Sequence, residues 1–314
     1  MSTARHFLIA LSALAASAAL AQEPQHQGAA FNRGRGNVTC KGNIWVEPDQ
    51  SEPAGTHYKL FATPSRGADT EGSYLIYLPP DYDTAANRRY PVLYWLHGGG
   101  GNQRGGAFLV EKIDAAIRAG KLPPFIVVLP QGLPDVRYHN SKDGTRPVED
   151  EIIKDLIPHI DRTYRTIADR KARAIEGFSM GGFGSLRLGF KFPDLFGAVS
   201  ALAPSITEMK DEPPCIVEPF GPEQAFYDEV GPWNMVKTHS DEIRGNTAVR
   251  LMVGEKDMLL PLVEKYDALL TSLKIDHQFA ISAPDVDHRA QLIIDRAPFD
   301  ALAFWRDFFG KLQY

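Results

Sequence analysis

Past residue 55 the chain alternates short apolar runs with longer stretches in which apolar residues return every three or four positions. The first kind predicts strands and the second helices. Residues 57–62 and 74–78 read as strands, the second cut off by Pro79-Pro80-Asp81-Tyr82. Residues 91–96 (Pro-Val-Leu-Tyr-Trp-Leu) and 125–129 carry no polar alternation, the pattern of strands buried on both faces. Between them, 107–119 is amphipathic, with Phe108, Val110, Ile113 and Ile117 as its apolar set. A helix over 148–163 opens on Glu149, Asp150 and Glu151, carboxylates suited to the positive end of a helix dipole.

The strand ending at 173–176 is followed by a helix over 180–192 that stops at Pro193, with Phe183, Leu186, Leu188 and Phe190 at helical spacing. Strands follow at 197–202, 249–253 and 278–281, then a C-terminal helix with Leu292, Ile293 and residues 304–309. Residues 204–247 are rich in proline and aromatics and read as an irregular insertion. This alternation predicts an α/β fold, a mostly parallel central sheet with helices on both faces. No internal repeat is visible, and one domain over 56–314 is the simplest parse.

The start of the chain reads differently. Arg5 and His6 precede an apolar, alanine-rich run from Phe7 to Leu20, and Ala19-Leu20-Ala21 is an A-x-A processing site. Residues 1–21 are therefore expected to be a cleaved signal peptide, placing the protein in the periplasm or outside the cell. Residues 22–55 form an arm, polar and Gly-rich around Asn32-Arg33-Gly34-Arg35-Gly36 and expected to be loosely ordered. No membrane span is expected after cleavage. Loss of Arg5 takes the formal charge from −5 to −6, and without a basic block nucleic acid is not an expected partner. Export permits disulfides, and the two cysteines, Cys40 in the arm and Cys215 beside Pro213-Pro214, allow one intramolecular pairing; the alternative is two separate thiols.

The chemistry concentrates at Gly177-Phe178-Ser179-Met180-Gly181, a G-x-S-x-G at a predicted strand-to-helix junction. Such a turn pushes a serine Oγ into a cleft. A serine nucleophile needs a base, an acid to orient it and rigid donors for the developing oxyanion. His239, His277 and His288 are the three histidines that follow Ser179. His288 lies just past the last strand, where open α/β sheets keep their sites. His277 begins that strand on the opposite edge of the sheet, and His239 falls in the insertion, so His288 is the expected base. Asp257, in the loop after 249–253, is the expected acid, with Glu255, Asp285 and Asp287 as rivals. His97-Gly98-Gly99-Gly100-Gly101 follows a strand as an HGGG-type oxyanion loop, with Gly99 favoured as donor and Gly98 close behind; Met180 N–H is the other. No G-K-[ST] or GxGxxG follows, which argues against a phosphate loop.

Three stretches together, Arg89-Tyr90-Pro91-Val92-Leu93-Tyr94-Trp95-Leu96-His97-Gly98-Gly99-Gly100-Gly101, Ile126-Val127-Val128-Leu129-Pro130 and Gly177-Phe178-Ser179-Met180-Gly181-Gly182, resemble the esterase D / carbohydrate esterase family 1 group of α/β-hydrolases. The resemblance runs from about residue 55 to the C-terminus. It implies Ser179, Asp257 and His288 as triad and Met180 and Gly99 as oxyanion donors. One departure is Pro284-Asp285-Val286-Asp287 before His288, where many relatives carry glycines; it places two carboxylates beside the base.

The expected reaction is hydrolysis of a small-molecule or polysaccharide ester through an acyl-enzyme, with no metal or cofactor. An acyltransferase of the same fold and a non-catalytic binding protein are the alternatives. Phe220, Phe226, Tyr227 and Trp233 either line a pocket for an aromatic or apolar group or bury the insertion. Tyr138 and His139, past a strand end, are either contacts for the alcohol side of a substrate or an exposed loop.

Overall fold

The computed structural model describes residues 42–312. Eight strands form one sheet in the order β1-β2-β4-β3-β5-β6-β7-β8. They are β1 Thr56–Ala62, β2 Glu71–Tyr77, β3 Val92–Leu96, β4 Ile126–Pro130, β5 Arg173–Phe178, β6 Ala198–Leu202, β7 Ala248–Gly254 and β8 His277–Ser282. β2 runs antiparallel to both β1 and β4, and every later pairing is parallel. β3, β4 and β6 are buried along their whole length, so both faces of the sheet are covered, as their unbroken apolar sequences require. The carboxyl ends of β3, β5, β6, β7 and β8 therefore open on one edge of the sheet, and the loops leaving them share it.

Two expectations change. The chain from 204 to 247 is not irregular: it contains short helices at Pro214–Val217, Gln224–Val230, Pro232–Thr238 and Ser240–Ile243. Prolines at Pro213, Pro214 and Pro232 and glycines at Gly221 and Gly231 keep each helix short, which masks the helical period. The C-terminal helix is two helices, Ala290–Asp295 and Ala303–Phe309, separated around Pro298. A further helix, Leu260–Ser272, joins β7 to β8 and buries Val263, Tyr266 and Leu270.

Residues 148–163 are helical throughout but widen to π geometry over Glu151–Leu156. Pro158 follows, and its missing N–H breaks the regular ladder there. The acids at its start do more than face the helix dipole. Glu149 is buried against Arg187 and Lys191, and Glu151 against Arg66. Burial raises the Glu151 carboxyl to about 7 despite that arginine.

The last part of the arm is held to the sheet. Ser73 N–H donates to Trp45 O, Glu47 N–H donates to Ser73 Oγ, and the Arg66 guanidinium lies 4.1 Å from the Trp45 ring centroid. Residues 1–41, which include the expected signal peptide and Cys40, lie outside the described residues. Among the described residues no helix is long and apolar enough to cross a membrane.

Beneath the open edge, Glu176, Ser200 and Arg250 occupy paired positions on β5, β6 and β7. Arg250 Nη2 contacts Glu176 Oε1 at 2.6 Å, Ser200 Oγ donates to the same oxygen at 2.8 Å, and all three residues are buried. The Arg250 guanidinium also faces the rings of Phe304 and Trp305, at 4.6 and 5.2 Å. This ties the sheet centre to the C-terminal helix.

Candidate active site

β5 ends at Phe178, and the helix Met180–Lys191 starts two residues later, leaving Ser179 alone at the turn. Its backbone is at φ 55°, ψ −111°, a conformation a residue with a Cβ adopts only when its surroundings force it. The surroundings do so with three backbone bonds. Ser179 N–H donates to Leu202 O at 2.9 Å, and Ser179 O accepts from Phe183 N–H and Ser205 N–H, both at 3.0 Å. The turn also needs close approach: a Cβ on Gly181 would lie 2.0 Å from Leu96 O, so only glycine lets the helix start against the end of β3.

Asp257 and His288 reach the serine from β7 and β8. The loop after β7 crosses the loop before His288 so closely that a Cβ on Gly254 would lie 2.3 Å from Val286 O. Lys256 N–H donates to that same Val286 oxygen at 2.8 Å, clasping the two loops. Asp257 is buried, accepts from Leu259 N–H through Oδ1 at 2.9 Å, and presents Oδ2 to His288 Nδ1 at 2.8 Å. His288 Nε2 lies 2.9 Å from Ser179 Oγ. With Nδ1–H donated to the carboxylate, Nε2 is left as an acceptor facing the hydroxyl. The Phe178 ring lies 4.6 Å from the imidazole, fixing its plane from one side.

The rival residues lie elsewhere. His277 Nε2 bonds Asp267 at 2.8 Å at the other end of β8, and His239 caps the helix Pro232–Thr238. Glu255 is exposed. Asp285 pairs with Arg296 and Asp287 with Arg289, so the two acids before His288 are neutralised by arginines.

Gly99 and Met180 are neighbours across the open edge: a Cβ on Gly99 would meet Met180 Cβ at 3.8 Å. In the same loop Gly100 N–H donates to Pro134 O and Gly101 N–H to Gly98 O, both at 3.0 Å. Met180 is the first residue of its helix, where a backbone N–H has no intrahelical acceptor. The Met180 N–H thus lies at the positive end of a helix, directly after Ser179 and beside the glycine-rich loop.

Tyr138 and His139 are neither exposed nor substrate-facing: both are completely buried. Tyr138 Oη–H donates to His97 O at 3.0 Å, and burial raises the phenol well above its ordinary range, so it stays protonated as a donor. His139 stacks on Phe220 at 3.9 Å. Phe220 is likewise buried, as part of the insertion core. Tyr227 and Trp233 combine the two expectations. Tyr227 Oη donates to Thr207 O at 2.8 Å, and Trp233 Nε1 donates to Ile206 O at 3.0 Å. With Phe183 they also line a cavity of about 680 Å³, which Ser179, Asp257 and His288 do not line. Cys215 is in the helix Pro214–Val217, and among the described residues there is no free cysteine.

Arg137, and the part Tyr138 plays, left no signal in the sequence. Arg137 is buried, and its Nη1 donates to Ser205 O at 2.7 Å, its Nη2 to Thr207 Oγ1 at 3.2 Å and to Glu212. A charged residue in an otherwise apolar strand is a readable signal of such burial for Glu176 and Arg250; Arg137, in a loop, carries none.

The family model described as "Putative esterase" matches residues 65–292. Esterase Rv1288 of Mycobacterium tuberculosis is 38% identical over 159 residues, which is 50% of this chain and 33% of that protein. An endo-1,4-beta-xylanase/feruloyl esterase of Xylanibacter ruminicola is 38% identical over 132 residues, 39% of this chain and 18% of that protein. The matched part therefore spans a third or less of these curated relatives. Among solved structures, a ferulic acid esterase superposes with a TM-score of 0.67 at 21% identity, covering 81% of this chain and 99% of the other. A CE1 ferulic acid esterase from Anaeromyces mucronatus, in complex with ferulic acid, gives 0.55 at 20% identity, covering 88% and 97%. The structural likenesses place the fold among the α/β-hydrolases, and the match over 65–292 takes in the serine turn, the glycine-rich loop and the loops carrying Asp257 and His288. On that match the chain belongs to the esterase family.

Proposed function

We propose that the protein is a serine carboxylesterase. Ser179 Oγ attacks the ester carbonyl while His288 Nε2 takes its proton, and Asp257 holds the imidazole in the tautomer this requires. The negative charge that develops on the carbonyl oxygen is met by the N–H groups of Gly99 and Met180. His288 returns the proton to the departing alcohol, leaving an acyl-serine. A water, deprotonated by the same imidazole, then attacks the acyl carbon and restores the serine. The observation that carries this reading is the unbroken line of contacts Asp257 Oδ2–His288 Nδ1 (2.8 Å) and His288 Nε2–Ser179 Oγ (2.9 Å), on a serine held in a strained backbone.

The substrate we infer is the ester of a carbohydrate or another small natural alcohol. A relative named endo-1,4-beta-xylanase/feruloyl esterase supports it. We further infer export through residues 1–21, and a Cys40–Cys215 disulfide fastening the arm to the insertion.

The test is hydrolysis of p-nitrophenyl acetate, with fluorophosphonate labelling, by the wild type and Ser179→Ala. Loss of the label and a fall in kcat of at least about a thousandfold are expected. A variant that keeps its activity or its label sinks the assignment.

A further inference from the structure

Arg137 and Tyr138 are consecutive, completely buried, and both in the left-handed region, at φ 46° and 59°. Neither is glycine, so each conformation is unfavourable alone and persists because contacts on both sides enforce it. Because of this kink the two side chains run to opposite halves of the candidate site.

Tyr138 runs to the glycine-rich loop. Its ring is clasped so tightly that a Cβ on Gly132 would come within 2.6 Å of it and one on Gly184 within 2.5 Å. Gly184 belongs to the helix that starts at Ser179. From this slot the hydroxyl donates to His97 O, two residues before Gly99. Pro134 O, earlier in the Tyr138 loop, takes the N–H of Gly100, one residue after Gly99. The peptide carrying the Gly99 N–H is thus held on both sides by one loop.

Arg137 runs the other way. Its Nη1 donates to Ser205 O, and Ser205 N–H donates to Ser179 O. Its guanidinium lies 4.9 Å from the ring centroid of Phe183, one turn into the same helix. Glu212, Thr207 and Tyr227 accept from the other Nη hydrogens, so the charge is paired as well as buried.

We propose that the left-handed pair Arg137–Tyr138 sets the spacing between the Gly99 and Met180 N–H groups and acts as a positioning pair for the oxyanion. The proposal rests on the esterase reading. Preorganised donors stabilise charge only if they are already in place, and a shift of about 1 Å costs about a hundredfold in rate. The histidine and aspartate come from the loops after β8 and β7, and Tyr138 acts on the glycine-rich loop, so an altered Tyr138 moves the Gly99 donor while the base and its carboxylate keep their own supports.

Tyr138→Phe keeps the ring in its slot and removes the tether to His97 O. The expected result is a fall in kcat on p-nitrophenyl acetate of about tenfold to a hundredfold, with KM changed by less than about threefold. Affinity for a trifluoromethyl ketone, whose adduct with Ser179 carries an oxyanion, should fall by the same factor as kcat/KM. Arg137→Lys keeps the charge opposite Glu212 but lacks the planar fork to Ser205 and Thr207, and should show the same pattern if Tyr138→Phe fails to fold. Thermal unfolding of each variant separates this from a merely structural role, which would lower Tm and leave kcat and ketone affinity of the folded protein unchanged. That last result overturns the proposal while the esterase reading stands. A wild type that neither hydrolyses the ester nor binds the ketone overturns both.

Discussion

Ser179 offers a measurement of backbone strain that is independent of catalysis. At φ 55°, ψ −111° a residue with a Cβ stores about 1–3 kcal/mol, held in by the bonds to Leu202, Phe183 and Ser205. Ser179→Ala removes the hydroxyl and its contact with His288 but keeps the Cβ, and with it the strain. Ser179→Gly removes the same hydroxyl and the Cβ together. The lost hydrogen bond is common to both variants and cancels in their difference. What remains is the relief of strain, less the extra freedom of glycine in the unfolded chain, about 0.4–1 kcal/mol. The glycine variant should therefore be the more stable by about 0.5–2 kcal/mol, or about 1–8 °C in Tm for a domain of this size. Urea unfolding with equal m-values in the two variants, together with calorimetric Tm, makes the comparison. If Ser179→Gly is no more stable than Ser179→Ala, the turn is not strained and the forced-conformation account of the elbow is wrong.

Two further outcomes follow from buried charge. Arg250→Met leaves Glu176 buried without its cation and should cost about 3–5 kcal/mol, whereas Arg250→Met with Glu176→Gln should recover a large part of it; additive losses in denaturant unfolding would mean that the pair is not coupled. For pH, burial depresses the imidazole pKa of His97 and, more strongly, of His139, which also lies near Arg187. The unfolded chain then binds protons below about pH 6.5 that the folded chain refuses, so stability is present above that pH and is lost as pH falls, by up to about 1.4 kcal/mol per unit for each histidine. Glu151, raised to about 7 by burial, works in the opposite sense between its unfolded value and 7, and offsets one histidine there. His139→Phe, which keeps a ring on Phe220, should flatten the acid limb of a Tm-against-pH curve; an unchanged slope would show that His139 does not carry it.

The sheet was legible because its strands are buried on both faces: Val92–Leu96, Ile126–Pro130 and Ala198–Leu202 have nearly no polar residue to obscure the period. Ser179, Asp257 and His288 were legible for another reason, since each lies just past a strand end and the parallel topology gathers those ends on one edge. Two kinds of feature were hidden. Short helices between 204 and 247 complete too few turns for a 3.6-residue period to emerge, and the same stretch gives prolines and aromatics in no fixed order. Arg137 and Tyr138 look like ordinary loop residues, because a left-handed conformation of a non-glycine residue is imposed by tertiary contacts. At 149–151 the helix start was legible and the ion pairs were not: Glu149 and Glu151 end against Arg187, Lys191 and Arg66, which come from other parts of the chain.

β6 and β7 are parallel neighbours, in register from Ala198↔Ala248 to Leu202↔Met252. The chain leaving β6 must therefore travel back down the full height of the sheet, about 17 Å for a five-residue strand, before β7 can begin. The stretch from 204 to 247 is the only route for that return, so it cannot be excised as a surface decoration can. The helix Pro232–Thr238 packs against the helix that follows Ser179 and carries Trp233 of the cavity wall, while residues 205–231 lie upstream of it and include Thr207 and Tyr227 of the same wall. Replacing the stretch would also take away Thr207, Glu212 and Tyr227, the partners of Arg137, so the return path, the cavity wall and the left-handed pair change together.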